Sequence, residues 1–483
     1  MTEDRFFEIK EALSRLIKNT IFEGKTYIVG GAVRDLIMKR EIKDVDVVVN
    51  IQGGGLKLAR HLYNIDALLR EPVEYPQYSV SMFVLKDYPE IEIEAVQTRK
   101  EQYLDSTSRN PETAFGTIDE DAIRRDLTIN ALYLNVSTND IVDLTGGMED
   151  IKNHVIRVTN RDPDVVFDDD PLRILRVVRF ASRFGWEIEK ETWDSMFRNS
   201  FRLEIISTER INDEFSKMMV GENPRKALEM LKELDLIQYI IPELIPLYNC
   251  RQNEFHGYDM VWEHTLDVVE NMNIEPASNK LVLRLAALLH DIGKDKTKTI
   301  KDGKVHFYGH EFVGAKMVKE ILSRLRYSND IVKEVAFLVE NHMWFFSFTM
   351  DKPNDKVIRR VQYKCKTAER FRDLMLLMQA DRLSGPKEYQ DPKFFENITT
   401  YSNRMVSNDT AMFHYKLPVD GEDIMRIKGI PGGHDVRVIK DALLEHAIKC
   451  EPRMSRESAI KFIRGYNLNV LQTYIHIKRS QTN

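Results

Sequence analysis

The strongest constraint on this chain is the run Tyr27 to Asn50, YIVGGAVRDLIMKREIKDVDVVVN. It reads as strand, glycine turn, short helix and second strand. Tyr27, Ile28 and Val29 form a β-rich run stopped by Gly30 and Gly31, and Ala32 to Lys39 holds helix formers. Paired glycines let the backbone turn sharply and approach a ligand, with the amides of the following helix facing a phosphate. A tight turn with no ligand would look the same, so the second strand decides the matter. In Asp44-Val45-Asp46-Val47-Val48-Val49 the two aspartates alternate with valine and so share one strand face. Adjacent carboxylates repel and are costly to desolvate. A hard divalent cation such as Mg²⁺, held by carboxylates and substrate phosphates, removes that cost. An exposed edge strand fits poorly beside three consecutive valines. Turn and Asp-x-Asp together point to metal-assisted nucleotide chemistry.

GGAVRD followed by DVDVVV resembles the first motif of the tRNA nucleotidyltransferase / bacterial poly(A) polymerase family, within the polymerase-β-like nucleotidyltransferases. The segment Arg124 to Leu132, RRDLTINAL, is similar to the family's second motif, with Leu127 in place of phenylalanine. Asp143 to Asp150, DLTGGMED, is similar to a glycine turn of the family. The resemblance implies that Asp44 and Asp46 hold catalytic Mg²⁺ and that Gly31 and Arg34 cradle a triphosphate. Arg125 and Asp126 are then expected at the nucleotide sugar and phosphates. A third carboxylate would complete a two-metal site. Glu92 and Glu94 share one face of the strand-like run Ile91–Val96. Family spacing to Arg99 favours Glu94, with Glu92 remaining open. Residues 101–120 are polar, proline- and glycine-punctuated and aperiodic, which predicts a loop.

From residue 151 onward the character becomes helical. In Asp168-Asp169-Asp170-Pro171-Leu172-Arg173, an acid before proline is a good helix start. Arg173, Arg176 and Arg179 recur every third residue, share a broad face and are expected to contact the nucleotide. A carboxylate and a guanidinium one turn apart can offer acceptors and donors to base edges. In the family, an Asp-x-x-Arg at this place acts as a protein template for CTP and ATP. The resemblance carries that role to Asp170 and Arg173, with Asp169 where the family has glutamate. Ser207 to Glu214, STERINDE, is a further family-like segment; Ser207 reads as an N-cap, and Glu209 and Arg210 as orienting the nucleotide site. The proline-bearing run Ile241–Leu247 reads as a domain boundary.

Residues 256–381 hold six of the twelve histidines. His264, the doublet His290-Asp291, His310, His342 and Asp381 lie in or beside amphipathic helical runs. Facing helices that turn histidines and carboxylates inward build metal centres in all-α cores. This order resembles the HD phosphohydrolase domain, which implies His264, His290, Asp291 and Asp381 as ligands and leaves His310 and His342 for a second ion. His256 and His306 lie close by in sequence. Histidine-rich sites suit transition ions, Mn²⁺, Ni²⁺ or similar, whereas carboxylate sites suit Mg²⁺. Beyond 386 the chain is predicted helical, and Asp420 to Met425 with Pro431-Gly432-Gly433 are similar to the tail of HD-containing family members.

At 483 residues the chain exceeds the ~250–300 at which single cores stop growing. The expected fold is α+β, a small mixed-sheet nucleotidyltransferase head over 1–150 followed by all-α domains. These are a neck over 151–250, an HD domain over 251–385 and a tail over 386–483. Cys250, Cys365 and Cys450 form neither a disulfide framework nor a zinc pattern, and no apolar run approaches the ~20 residues of a membrane span. A cytoplasmic protein with no membrane partner is expected. A net charge of −6 gives no global attraction to nucleic acid. A local patch must supply it, and residues 437–483 carry nine Lys/Arg against four Asp/Glu.

The expected function is addition of CMP and AMP from CTP and ATP to the tRNA 3′ end, with possible HD phosphohydrolase activity on RNA ends. Poly(A) addition or partial CC- or A-addition are alternatives within the same chemistry. A metallophosphohydrolase with a nucleotide-sensing N-terminal domain is the alternative from another class, disfavoured by the intact Asp44/Asp46 pair.

Overall fold

The computed structural model describes residues 1–102, 112–160, 162–252, 259–344, 355–386, 392–450 and 452–467. Two compact units emerge: Met1–Ile245 with Arg324–Arg326, and the rest of the chain from Pro246.

The first unit opens on the helix Glu3–Ile17, capped by Thr2, whose side chain accepts from the Arg5 amide. Strands follow in chain order: β1 Thr26–Val29, β2 Val45–Val49, β3 Val73–Tyr75, β4 Val80–Val84, β5 Glu92–Gln97, β6 Arg99–Gln102, β7 Glu112–Phe115, β8 Leu132–Asn135 and β9 Ile141–Asp143. Seven of them form one sheet in the order β3-β4-β5-β2-β1-β8-β9. It is mixed, because β2 pairs in parallel with β5 while its other pairings are antiparallel. The parallel step needs a crossover, and the helix Gly54–Asn64 packs against β2, β4 and β5 to supply it.

The region 101–120, expected as loop, is ordered at both ends. β6 and β7 form a separate antiparallel ribbon, and Thr117 starts a helix, Ile118–Ile123, through a capping box with Glu120. Aperiodic composition concealed a Thr-x-x-Glu start signal that could have been read. Residues 103–111 lie outside the described residues.

After the sheet come the helices Pro163–Asp169, Leu172–Phe184, Lys190–Asn199, Thr208–Met219 and Pro224–Glu233. Leu172–Phe184 buries Leu172, Ile174, Leu175, Val177, Val178 and Ala181, and Gly185 ends it in the left-handed region at φ 72°.

Among its described residues the second unit is helical apart from one short hairpin, Thr299–Lys301 with Lys304–His306. Lys280–Leu289 is buried almost throughout and starts at Asn279, whose side chain accepts from the amides of Leu281 and Val282. The helices Gly421–Lys428, His434–Cys450 and Arg456–Gly465 share an apolar core containing Ile424, Ile439, Leu443 and Ile463. The basic segment 437–483 is described only to residue 467.

Candidate active site and histidine–aspartate centre

In the first unit the parallel register sets Asp46 directly beside Glu94, and the antiparallel register sets Val29, the last residue of β1, beside Asp46. Residues opposite each other on neighbouring strands point to the same face. The face that carries Asp46 and Glu94 therefore lies next to the Gly30 turn. Asp44 immediately precedes β2 and adds its charge: the Asp46 carboxyl is pushed up to about 6, first by desolvation, then by Glu94 and Asp44, against the guanidinium of Arg125. A carboxylate raised by its own neighbours is a site short of positive charge, and a divalent cation fits that donor set. Glu92 shares the strand face but forms an ion pair with Arg70 at 3.0 Å.

Gly30 has φ 74°, conformational freedom that only glycine supplies without strain, and its amide donates to the carbonyl of Leu132 at 3.2 Å. Arg125 reaches towards this turn; its Nη1 lies 3.8 Å from where a Gly30 side chain would begin. Its other nitrogens are held by Asp121, at 3.1 Å, and by the Tyr133 hydroxyl, at 2.9 Å. Asp121 also takes Arg124 at 2.7 Å. Burial works against the Asp121 carboxylate, but Arg125 and Arg124 hold it below the usual carboxylate range.

Two predicted ligand-contacting residues are turned inward. Arg34 is 3% exposed, ion-paired to Asp35 at 2.8 Å and donating to Asn130 Oδ1 at 2.6 Å. Asp126 accepts from Arg176 at 2.6 Å, from Asn130 and from the Leu127 amide, and its carboxyl is lowered to about 2 against the burial penalty, chiefly by Arg176.

The arginine stripe on Leu172–Phe184 is an internal seam. Arg173 donates through Nη2 to the Arg124 carbonyl at 2.7 Å, Arg176 pairs with Asp126, and Arg179 donates to Glu214 at 2.5 Å. Asp170, three residues before Arg173, accepts from the Leu172 amide at 3.2 Å and from Arg210 at 2.7 Å. Ser207 sits at the N-cap position of Thr208–Met219, without a side-chain hydrogen bond to that helix. Glu214, 2% exposed, is the carboxylate that both Arg176 and Arg179 reach. Removing one partner of a buried charge group leaves the others uncompensated. Glu214→Gln is therefore expected to destabilise this unit by ~1–3 kcal/mol, read as a lower midpoint of chemical unfolding; an unchanged midpoint would mean that the seam carries no stability.

In the second unit six side chains converge. His264 comes from Val261–Asn271, His290 caps the C-terminus of Lys280–Leu289, and Asp291 follows it. His310 begins His310–Arg324, His342 caps Asn329–Asn341, and Asp381 comes from Ala368–Leu383. Every one is buried. Three Nδ1 atoms donate to carbonyls three residues back: His290 to Ala287 at 2.9 Å, His310 to Phe307 at 2.8 Å and His342 to Val339 at 2.7 Å. At the two helix C-termini these carbonyls lack intrahelical donors, so the local fold fixes the ring. That tautomer leaves each Nε2 lone pair facing inward, as metal-bound histidines require.

Asp291 joins two groups. One comprises His264, His290 and Asp291, the other Asp291, His310 and His342, each with ligand atoms within 4.8 Å of one another. Its Oδ2 is 3.1 Å from His290 Nε2 and its Oδ1 3.3 Å from His310 Nε2. Asp381 Oδ1 lies 3.0 Å from His264 Nε2. Burial lowers His342 to about 3, helped by His290 and His310, so its ring is neutral. Burial also disfavours the Asp291 carboxylate, yet His290 and Lys294 hold it ionised. The donor set, imidazoles around a shared carboxylate, fits transition ions. His306 lies on the hairpin beside this centre; His256 lies outside the described residues.

Sequence reasoning missed Lys294 and Asp121. Lys294 is buried, with its ammonium 2.6 Å from Asp291 Oδ2 and 3.0 Å from Gln252. Its helical position three residues after Asp291 was the available signal. Nothing local marks Asp121, whose partner Tyr133 lies on β8.

A metal-ready carboxylate face in a mixed-sheet head, followed by a histidine–aspartate centre in helices, defines a nucleotidyltransferase with an HD domain. Residues 26–157 match the family model described as Poly A polymerase head domain, 185–247 the probable RNA and SrmB-binding site of polymerase A, and 261–385 the HD domain. The chain is 33% identical over 369 residues to a multifunctional CCA protein of Actinobacillus pleuropneumoniae, covering 74% of this chain and 84% of that one. It is 29% identical over 337 residues to an A-adding tRNA nucleotidyltransferase of Deinococcus radiodurans, covering 68% and 75%. Its fold is similar, with a TM-score of 0.66 at 20% identity over 99% of both chains, to that of the Bacillus stearothermophilus CCA-adding enzyme in complex with CTP. The chain belongs to the tRNA nucleotidyltransferase / poly(A) polymerase family and is a nucleotidyltransferase.

Proposed function

We propose that this enzyme adds CMP and AMP from CTP and ATP to the 3′ end of tRNA without a nucleic-acid template. The observation that carries the reading is the register of Asp46 beside Glu94, with Asp44 preceding and the Gly30 turn at the same strand end. Asp44, Asp46 and Glu94 would hold two Mg²⁺, which when bound stabilise charge on the attacking and leaving oxygens. Glu92 is assigned no ligand role, because Arg70 already engages it. The tRNA 3′-hydroxyl attacks the α-phosphate in line, and pyrophosphate leaves. Gly31 would cradle the phosphates, and Arg125, clamped by Asp121 and Tyr133, presents Nη1 towards the neighbouring Gly30. Arg34 and Asp126 act from behind, fixing Asn130 and Arg176.

Asp170 and Arg173 would read the base, with Asp170 exchanging the Arg210 donor for an amino group of cytosine or adenine. Arg176 and Arg179 hold their helix in place. Asp170→Ala or Arg173→Ala is expected to blur discrimination of CTP and ATP from GTP and UTP by about tenfold or more, with a smaller loss of triphosphate affinity. Competition binding of the four triphosphates measures this. Selectivity intact beside collapsed affinity would make the pair triphosphate ligands.

The second unit would hydrolyse phosphoesters at RNA ends, such as 2′,3′-cyclic phosphates, with Mn²⁺, Ni²⁺ or a similar ion. Bound ions would supply Lewis-acid stabilisation of the phosphoryl oxygens. The three Nδ1-to-carbonyl bonds support this over a core kept for packing, since they aim three Nε2 atoms into one centre, where an ion could take them as ligands. Such hydrolysis would free the hydroxyl that nucleotide addition requires.

A second reading, addition of A alone, is favoured by the similarity to the Deinococcus radiodurans enzyme. Labelled CTP separates the two, because an A-adding enzyme leaves it unused.

A further inference from the structure

The hairpin beside the histidine–aspartate centre has a surface that folding does not explain. Asp302 and Gly303, at φ 53° and 73°, turn it tightly, so that Lys301 and Lys304 stand directly opposite each other. Like charges facing across an antiparallel pair destabilise it. Among the described residues, neither these two lysines nor Lys296 nor Lys298 makes an ion pair.

Thr299 pairs with His306 in the same register. Alternation along the strands places Thr299, Lys301, Lys304 and His306 on one face of the ribbon. Tyr308 stacks on His306 at 5.1 Å between ring centroids and 8° between planes. Its own exposure is 73%, and Phe312, one turn into the next helix, is 62% exposed.

Phe307 links this surface to the centre. Phe307 faces inward, its ring beneath the Lys294 ammonium at 5.4 Å and its carbonyl fixing His310. Tyr308 faces outward from the next position. At Gly293 a side chain would collide with the His310 carbonyl, at 2.2 Å, so the His310 helix is seated tightly against the Asp291 turn.

We propose that the face formed by Lys301, Lys304, His306, Tyr308 and Phe312 binds the single-stranded 3′ end of an RNA and delivers its terminal phosphate to the histidine–aspartate centre. Paired lysines meet the backbone phosphates, and the exposed ring of Tyr308 offers a base its π-face. The delivery part rests on the phosphohydrolase reading above; the binding part does not.

Ultraviolet cross-linking of the full chain to single-stranded oligocytidylate, with adducts mapped by mass spectrometry, tests binding. An adduct within residues 305–312 that is lost in the Lys301→Glu/Lys304→Glu variant is the expected result. Adducts confined to other segments, or an adduct insensitive to the charge reversal, would overturn the proposal and leave a protein-docking face as the explanation. Delivery is tested by the ratio of KM for an oligonucleotide 2′,3′-cyclic phosphate to KM for bis(p-nitrophenyl) phosphate. Tyr308→Ala should raise that ratio about tenfold, and an unchanged ratio would refute delivery. A wild type that hydrolyses neither compound with any ion would refute the phosphohydrolase reading, and delivery with it, while the cross-linking still decides binding.

Discussion

Asp46→Ala should lose nucleotide addition by at least ~10³-fold, while its thermal midpoint in the absence of metal stays level or rises. The loss follows from removing the carboxylate at the centre of the site, where charge stabilisation dominates phosphoryl transfer. The gain follows from linkage. A carboxyl raised from its ordinary value to about 6 by desolvation, Glu94 and Asp44 is harder to ionise in the folded state than in the unfolded one. That penalty is absent below the ordinary value and fully present above about 6. At neutral pH the charge therefore works against folding, and only a cation makes it useful. A combined activity and unfolding measurement checks both signs. A variant that adds nucleotides at a near-normal rate would remove Asp46 from the active site, and a sharp fall in midpoint would make it a structural residue.

Asp291→Asn should abolish hydrolysis of phosphoester substrates and spare nucleotide addition, with Asp46→Ala doing the reverse. Asp291 is the one carboxylate shared by both histidine groups, so its loss should also remove transition-ion binding to both, measurable by titration of the dialysed protein. The amide keeps the side-chain shape but leaves the buried Lys294 ammonium without its counter-charge, so the unfolding midpoint of the variant is measured beside its activities. Loss of both activities in each single variant would refute independent centres. A wild type inactive with Mn²⁺, Ni²⁺ and related ions would return the second unit to a packing role.

The parts of this account legible in the sequence are those written by period and punctuation. Val45 to Val49 alternates around Asp46, and the glycine pair before it stops a β-rich run, so strand, turn and shared face could all be read locally. Helix starts were legible where a capping acid and proline meet at Asp170 and Pro171. The histidine order was legible beside its amphipathic runs, and the resemblance to the HD domain implied the ligand set.

What escaped was written between elements. Nothing near Asp121 says that Tyr133 and two arginines will close around it, because β8 supplies one partner and the local helix the others. Arg34 and Asp126 were expected at the ligand; both are buried and ion-paired, since a lone buried guanidinium or carboxylate must find its opposite charge inside, and that pairing is the ground for proposing them as supports. The stripe of Arg173, Arg176 and Arg179 was visible as a face, but Glu214, which completes it, lies on another helix. Glu94 and Glu92 were equivalent by alternation; pairing register and Arg70 distinguish them.

The most direct test of the central claim is the product formed on a tRNA that ends at the nucleotide before the terminal CCA. With CTP and ATP together, the enzyme should extend it by two C and one A and then stop; with CTP alone, by C only. Addition of a single A without use of CTP, growth of an open-ended A tail, or no extension by an intact wild type would contradict it.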